Sequence, residues 1–212
     1  VLEEMGRSLC PSPYISHCLA VDTLSKLGTE TQKKTWLSQM ASGQCIAVPA
    51  LLDIPDDPIA GNVVLSAQAT DGGISLTGTK PFVCDAGAAQ LFLVAYRTGD
   101  GLGLALVDRE QAGVSVISSP TLDLTKRTGT VKLDEVTVSH ENTIPISDQD
   151  LVAILDKGVI AVTSEMVGAA ESIIGMTTDY AKDRIQFANP IGKYQGVKHR
   201  LAEMYVDVES FK

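Results

Sequence analysis

The sequence predicts an α+β protein in which a β-rich middle segment lies between two helical segments. Apolar residues recur at helical spacing up to about Gly43 and again from about Leu151. Between them, short β-rich runs alternate with Gly, Asp and Asn turns, the grammar of an antiparallel barrel or sandwich. Aromatics are few while Ala, Val, Leu and Ile are plentiful, as in a well-packed enzyme domain. The expected domains are residues 1–44 (helical), 45–150 (β) and 151–212 (helical).

A chain of 212 residues holds one large domain or two small ones. The net charge of -9 argues against a nucleic-acid surface, where a basic footprint is expected. Neither a signal peptide nor an apolar run of membrane-spanning length is present. Cys10, Cys18, Cys45 and Cys84 are scattered without metal-ligand spacing, so the expectation is reduced thiols in a cytoplasmic protein and no metal. The chain opens at Val1 and stops at Lys212 within an amphipathic pattern, which suggests a segment truncated at both ends.

In the first segment Leu2, Met5 and Leu9 share a helical face, and Pro11 with Pro13 break it. A second helix runs to Gly28, a fitting C-cap, and Thr29 with Gln32 has capping-box spacing for a third. His17 belongs to this region as a packing or surface residue. In the middle segment VVLSAQAT, ISLTGTKPFV, LFLVAYR, LGLALVD, GVSVIS and TGTVKLDEVTV read as strands. Asp71-Gly72-Gly73 and Gly99-Asp100-Gly101 read as hairpin turns between them.

From Leu151 a long helical pattern returns, with Gly158, Gly168 and Gly175 as points of close helix approach. Asn189-Pro190 is expected to stop it, and Val197, Leu201, Met204 and Val208 resume an apolar stripe. The corner between the stripes carries a cation (Arg184), an aromatic (Phe187) and an amide (Gln195). That trio suits a nucleotide: guanidinium for phosphate, ring for a base, amide for a sugar hydroxyl or base edge. An ordinary helix–turn–helix with a surface arginine and a core phenylalanine has the same spacing.

The corner resembles the R-x-Q-F-G-x-P-I…Q…H-x-L-A-[DE]-M signature of the acyl-CoA dehydrogenases, with Ala188 where the family usually has glycine. TETQKKTWLSQMASGQ resembles the stretch that closes the family's amino-terminal helical domain. VLEEMGRSLCPSPY is similar to subunits from actinobacterial lipid and steroid catabolism. The resemblance implies FAD-dependent α,β-dehydrogenation of an acyl-CoA thioester, with a carboxylate as base and the flavin as hydride acceptor. It also implies a dimer or tetramer, homomeric or heteromeric, with FAD across the subunit interface and electron-transfer flavoprotein as electron acceptor. Arg184, Phe187 and Gln195 would face the adenylate half of FAD. By the strand GTKPFVCDAG, Phe82 would pack beside the flavin ring, and Cys84 stands where a Thr or Ser offers a hydroxyl.

Other positions depart from the family pattern. PALLDIPDDPIAG, residues 49–61, replaces a Gly-Ser-rich ligand loop, with Leu51 and Leu52 where small residues are usual, and Val159 aligns with a common arginine. The usual glutamate base falls beyond Lys212; a minority position aligns with Gly158, and Glu165 two turns on is a weak substitute. No catalytic residue is named. The chain is thus expected to be a catalytic subunit, or one that completes a neighbour's FAD site. The alternatives are a non-catalytic structural subunit and a flavin oxidase or monooxygenase on the same fold.

Overall fold

The computed structural model describes residues 1–53, 63–99 and 101–212. Most of the departing stretch after Asp53 and the middle residue of the Gly99–Gly101 turn lie outside the described residues. The chain divides into two compact units: Pro11–Gly158, and Val1–Cys10 with Val159–Lys212.

The larger unit is a two-sheet sandwich backed by helices. One sheet has the order β1 (Ala47–Ala50), β4 (Leu91–Thr98), β5 (Gly101–Asp108), β8 (Thr143–Ile146). The other has the order β2 (Ala67–Thr70), β3 (Gly73–Cys84), β7 (Thr128–Ser139), β6 (Val114–Ser119). All pairings are antiparallel except β1 on β4. Both sheets stay open, so the sandwich reading holds and the barrel reading does not. The edge strands β1 and β8 had no sequence signal of their own. Each carries a proline (Pro49, Pro145), tolerated at an edge because no second neighbour needs its N–H.

Period 2 explains why β4 and β5 are almost wholly apolar. Phe92, Val94, Tyr96, Ala105 and Val107 face the second sheet and meet Leu76, Val83, Val131 and Val136. Leu91, Leu93, Leu104 and Leu106 face the other way, onto α2 (Tyr14–Leu27), α3 (Glu30–Ala41) and the first turns of α4 (Asp148–Asp183). The capping box at Thr29 forms: Gln32 N–H donates to Thr29 Oγ1 at 3.2 Å and Thr29 N–H to Gln32 Oε1 at 2.8 Å. Gly28 is the C-cap of α2, chosen for space and not for a left-handed turn. Its φ is -70°, and a Cβ there would lie 2.6 Å from the Leu24 carbonyl oxygen. His17 cross-links this layer. Ala47 N–H donates to its Nδ1 at 3.1 Å, which places the ring proton on Nε2, 3.2 Å from the Met40 carbonyl.

In the smaller unit α1 (Leu2–Arg7) lies directly on α4, backbone to backbone. A Cβ on Gly6 would sit 1.8 Å from the Glu165 carbonyl oxygen, and one on Gly168 would sit 1.8 Å from that of Glu3. Of the three glycines marked for close approach, Gly168 has that role. Gly158 meets only Leu19 Cδ1 at 3.5 Å, and nothing lies within 4 Å of Gly175. Glu165 is buried against α1, not on the solvated face expected of a helical glutamate.

The helix ends earlier than Asn189-Pro190. Arg184 N–H still bonds the Tyr180 carbonyl at 2.8 Å, but Ile185–Gln186 (β9) leave to pair with Asn189–Pro190 (β10) before α5 (Gln195–Ser210) begins. Proline here is a hairpin residue, not the breaker.

Glu171 on α4 bonds both Arg7 of α1 and Lys212 after α5, joining three elements. Hydrogen bonding from Lys212 is the chief cause that holds the Glu171 carboxyl below the usual glutamate value of 4.5. A depressed carboxylate pKa stabilises the folded state above that value and ceases to do so as pH falls through the lower, folded-state pKa. The α1–α4–α5 junction is therefore expected to loosen only in acid below about pH 4.5. Glu171→Gln should flatten that dependence in an acid titration followed by amide exchange of α1, and an unaltered acid profile would dissociate Glu171 from the junction.

Candidate cofactor site

The sequence-marked residues fall into two groups, one in each unit. In the larger unit Phe82 and Cys84 lie near the end of β3. The β3–β7 register slips between Lys80 and Val83, and within this bulge Phe82 takes φ 51°, leaving its ring 58% exposed. A bulge that re-aims an aromatic outward at a strained backbone position is the kind of device found beside ligand sites. Cys84 is opposite Thr128 across the ladder. Protein crowding pushes its thiol pKa up, with Asp85 adding to the rise, although part of the side chain meets solvent. The group is a neutral thiol at pH 7, a weaker donor than a hydroxyl.

Sequence reasoning missed the ion pair beneath this strand. Lys80 Nζ is 2.8 Å from Asp53 Oδ2 and 3.2 Å from the Leu51 carbonyl, with side-chain exposures of 0% and 4% for the pair. Burial pushes the Lys80 pKa down, against the opposing pull of Asp53. The same Asp53 oxygen accepts Val64 N–H at 2.8 Å and Leu65 N–H at 3.2 Å. Spacing gave no sign that Lys80 was internal. Leu51 is core and Leu52, partly buried, packs on that core, so both leucines turn toward the interior.

In the smaller unit the Arg184 corner is a tight hairpin. Phe187 and Ala188 form its two-residue loop with φ 51° and 63°, the left-handed pair of a type I′ turn. The Phe187 ring is 89% exposed and meets Tyr194 edge-on at 6.4 Å, so the core-phenylalanine reading fails. Tyr194 OH donates to the Gln186 carbonyl at 2.9 Å and so fixes the hairpin against the start of α5. Tyr194 is the N-cap residue, no side chain caps the helix, and Gln195 is its first residue. Arg184 is exposed and has no side-chain partner among the described residues. An open helix N-terminus, a free guanidinium and an exposed ring follow one another along this hairpin and helix start, group types that suit a phosphate-bearing aromatic ligand. These residues fit the adenylate half of FAD.

Alanine in a left-handed position is strained where glycine is not. Ala188→Gly is expected to stabilise the hairpin by about 0.5–1 kcal/mol in urea unfolding. A lower midpoint would show that the strain is absent.

Two family models match the chain: "Acyl-CoA dehydrogenase, N-terminal domain" over residues 1–44 and "Acyl-CoA dehydrogenase, C-terminal domain" over residues 151–212. The chain belongs to the acyl-CoA dehydrogenase family. Acyl-CoA dehydrogenase FadE27 of Mycobacterium tuberculosis is 31% identical over 100% of this chain and 55% of that protein. The structure is similar to the ChsE4–ChsE5 complex of the same organism, with TM-score 0.88 and 29% identity over 99% of this chain and 56% of that one. Butyryl-CoA dehydrogenase of Megasphaera elsdenii shares the fold at TM-score 0.90 and 24% identity, covering 99% of this chain and 58% of that one. The chain thus spans about half the length of the relatives it matches.

Among the described residues no helix is long and apolar enough to cross a membrane, no cluster could hold a metal ion, and all four cysteines are free.

Proposed function

We propose that this chain works in a cytoplasmic, FAD-dependent assembly that dehydrogenates an acyl-CoA thioester between its α and β carbons. It serves as the catalytic subunit or as the subunit that completes a neighbour's FAD site. Electron-transfer flavoprotein is the proposed electron acceptor. The observation that carries this reading is the Arg184–Phe187–Gln195 corner, exposed and preorganised on a tight hairpin at an uncapped helix N-terminus.

When bound, FAD supplies the hydride-accepting chemistry. The chain's residues bind and orient. Arg184 and the first amides of α5 address the pyrophosphate, the Phe187 ring covers an apolar face, and Gln195 offers an amide to a hydroxyl or base edge. Phe82 and Cys84 are proposed to meet the ring half. Cys84 favours the site-completing reading, because a thiol gives the ring a poorer hydrogen bond than threonine or serine. A relative that is itself a complex of two differently named chains supports a heteromer.

FAD rather than FMN should copurify with the native oligomer. Arg184→Ala removes a charge-assisted contact worth roughly 1.5–3 kcal/mol, so FAD affinity should fall about tenfold or more with melting unchanged. Arg184→Lys should rescue it only in part, because the planar fork is lost. The same titration counts FAD per chain, and a value below one in an assembly with a competent partner selects the site-completing role. An unchanged FAD dissociation constant for the alanine variant would remove the corner from the cofactor site.

A further inference from the structure

We infer that Arg109 is a positioning residue for the ring half of the cofactor site, holding the end of β3 in the backbone form that presents Phe82 and Cys84. The inference rests on the proposed function, since it takes those two residues as the ones that meet the flavin ring.

The end of β3 is strained. Phe82 and Asp85, three residues apart, take φ 51° and 57°, a region where a Cβ crowds the following carbonyl. Such a backbone persists only where its surroundings over-determine it. On the upstream side Lys80 does this through its buried pair with Asp53. On the downstream side the turn at 85–89 has to be held by other means.

Arg109 holds it. Its Nη1 donates to the carbonyls of Ala86 and Gly87 at 3.0 Å and of Ala89 at 3.3 Å. Ala86 and Ala89 are fully buried, so their carbonyls have no solvent to turn to and depend on a protein donor. The arginine itself is half-buried just past β5, where its own N–H donates to the Gln90 carbonyl at 2.8 Å. Two further ties reach Asp85: its N–H donates to the Arg127 carbonyl at 2.8 Å, and its Oδ2 accepts from Ser16 Oγ at 2.7 Å. Those ties fix the first residue of the turn, and Arg109 fixes the rest.

The clamped turn borders a space of ligand size. A cleft of about 470 Å³ is walled by Arg109, Asp85, Gly87 and Ala88, and by Thr128, the cross-strand partner of Cys84. That volume is in the range of small-molecule pockets. Loosening the turn therefore alters the wall of the cleft and the strained residues beside it together.

The test uses the native assembly with FAD as the probe. Arg109→Met keeps the side-chain stem and removes the donors. In the flavin-free protein the amides of Asp85 and Ala88, bonded to the Arg127 and Asp85 carbonyls, should exchange about tenfold faster, while those of β4 keep their protection. FAD should still bind by its adenylate half, several-fold more weakly, and the absorption band of the bound flavin should lose its shoulders. Arg109→Lys keeps the charge and three donors without the planar fork, so it should restore part of both losses. Gln32→Ala removes the α3 capping box and two bonds to the carbonyls of Glu141 and Thr143. It controls for lost stability alone and should leave the flavin spectrum as in the wild type. If Arg109→Met does not fold, Arg109→Lys carries the same two readouts. A loosened turn with the wild-type flavin spectrum, or a spectrum lost equally in Gln32→Ala, overturns the positioning role and leaves the proposed function standing. Turn amides as protected as in the wild type overturn the clamp itself. A wild type that binds no FAD removes the functional reading, and the inference with it.

Discussion

Replacing Lys80 by methionine is expected to destabilise the 11–158 unit by about 3–5 kcal/mol, because it leaves the Asp53 carboxylate buried without a counter-charge. For a unit of this size that corresponds to a fall in melting temperature of roughly 10 °C. The cause lies in what Asp53 holds together. One oxygen takes the Lys80 ammonium and the N–H groups of Val64 and Leu65, while Lys80 also bonds the Leu51 carbonyl. Strand β3 is thereby tied to the described residues on both sides of 54–62. Lys80→Met with Asp53→Asn removes the charge but keeps an acceptor for Val64 and Leu65, so it should recover more than half of the loss. A single variant that melts like the wild type, or a double variant no better than the single, would refute the ion pair as the fastening. Because β3 also carries Phe82 and Cys84, the loosened variant should weaken flavin retention as well.

That ion pair marks where the sequence stops being legible. Gly78-Thr79-Lys80 reads as an ordinary polar step in a strand, and only tertiary contact makes Lys80 fully buried. The strongly periodic elements were plain from pattern alone, including the capping box of α3 and the apolar runs of β4 and β5. Strands β1 and β8, four residues each, were not, since pairing along a sheet edge leaves little periodicity in so short a run. At the corner the residue types suggested a nucleotide site, but gave no sign of the backbone that carries them. Asn189-Pro190 suggested a broken helix; the chain instead makes a two-residue hairpin whose left-handed loop raises Phe187 into solvent. The inward turn of Leu51 and Leu52 was also hidden, because which face a loop residue presents is set by the core beneath it.

The glycines of α4 give an opposite pair of expected results on one helix. At Gly175 nothing lies within 4 Å, so Gly175→Ala should only restore helix propensity, a gain of up to about 1 kcal/mol. At Gly168 an added methyl would lie 1.8 Å from the Glu3 carbonyl oxygen, and neither backbone has a flexible end to move aside. Gly168→Ala should therefore lift α1 from α4 at a cost of about 3 kcal/mol, the upper end of the usual overpacking range. Gly6→Ala should do the same from the other side, since its methyl would meet the Glu165 carbonyl at the same distance. Lifting α1 also parts Arg7 from Glu171, so acid should loosen the variants less than it loosens the wild type. The α1 amides of Met5 and Ser8, bonded to Val1 and Glu4 in the native helix, would lose exchange protection while those of β4 and β5 keep theirs. Equal protection of α1 in the Gly168→Ala and Gly175→Ala variants would show that α1 does not rest on α4 through these two glycines.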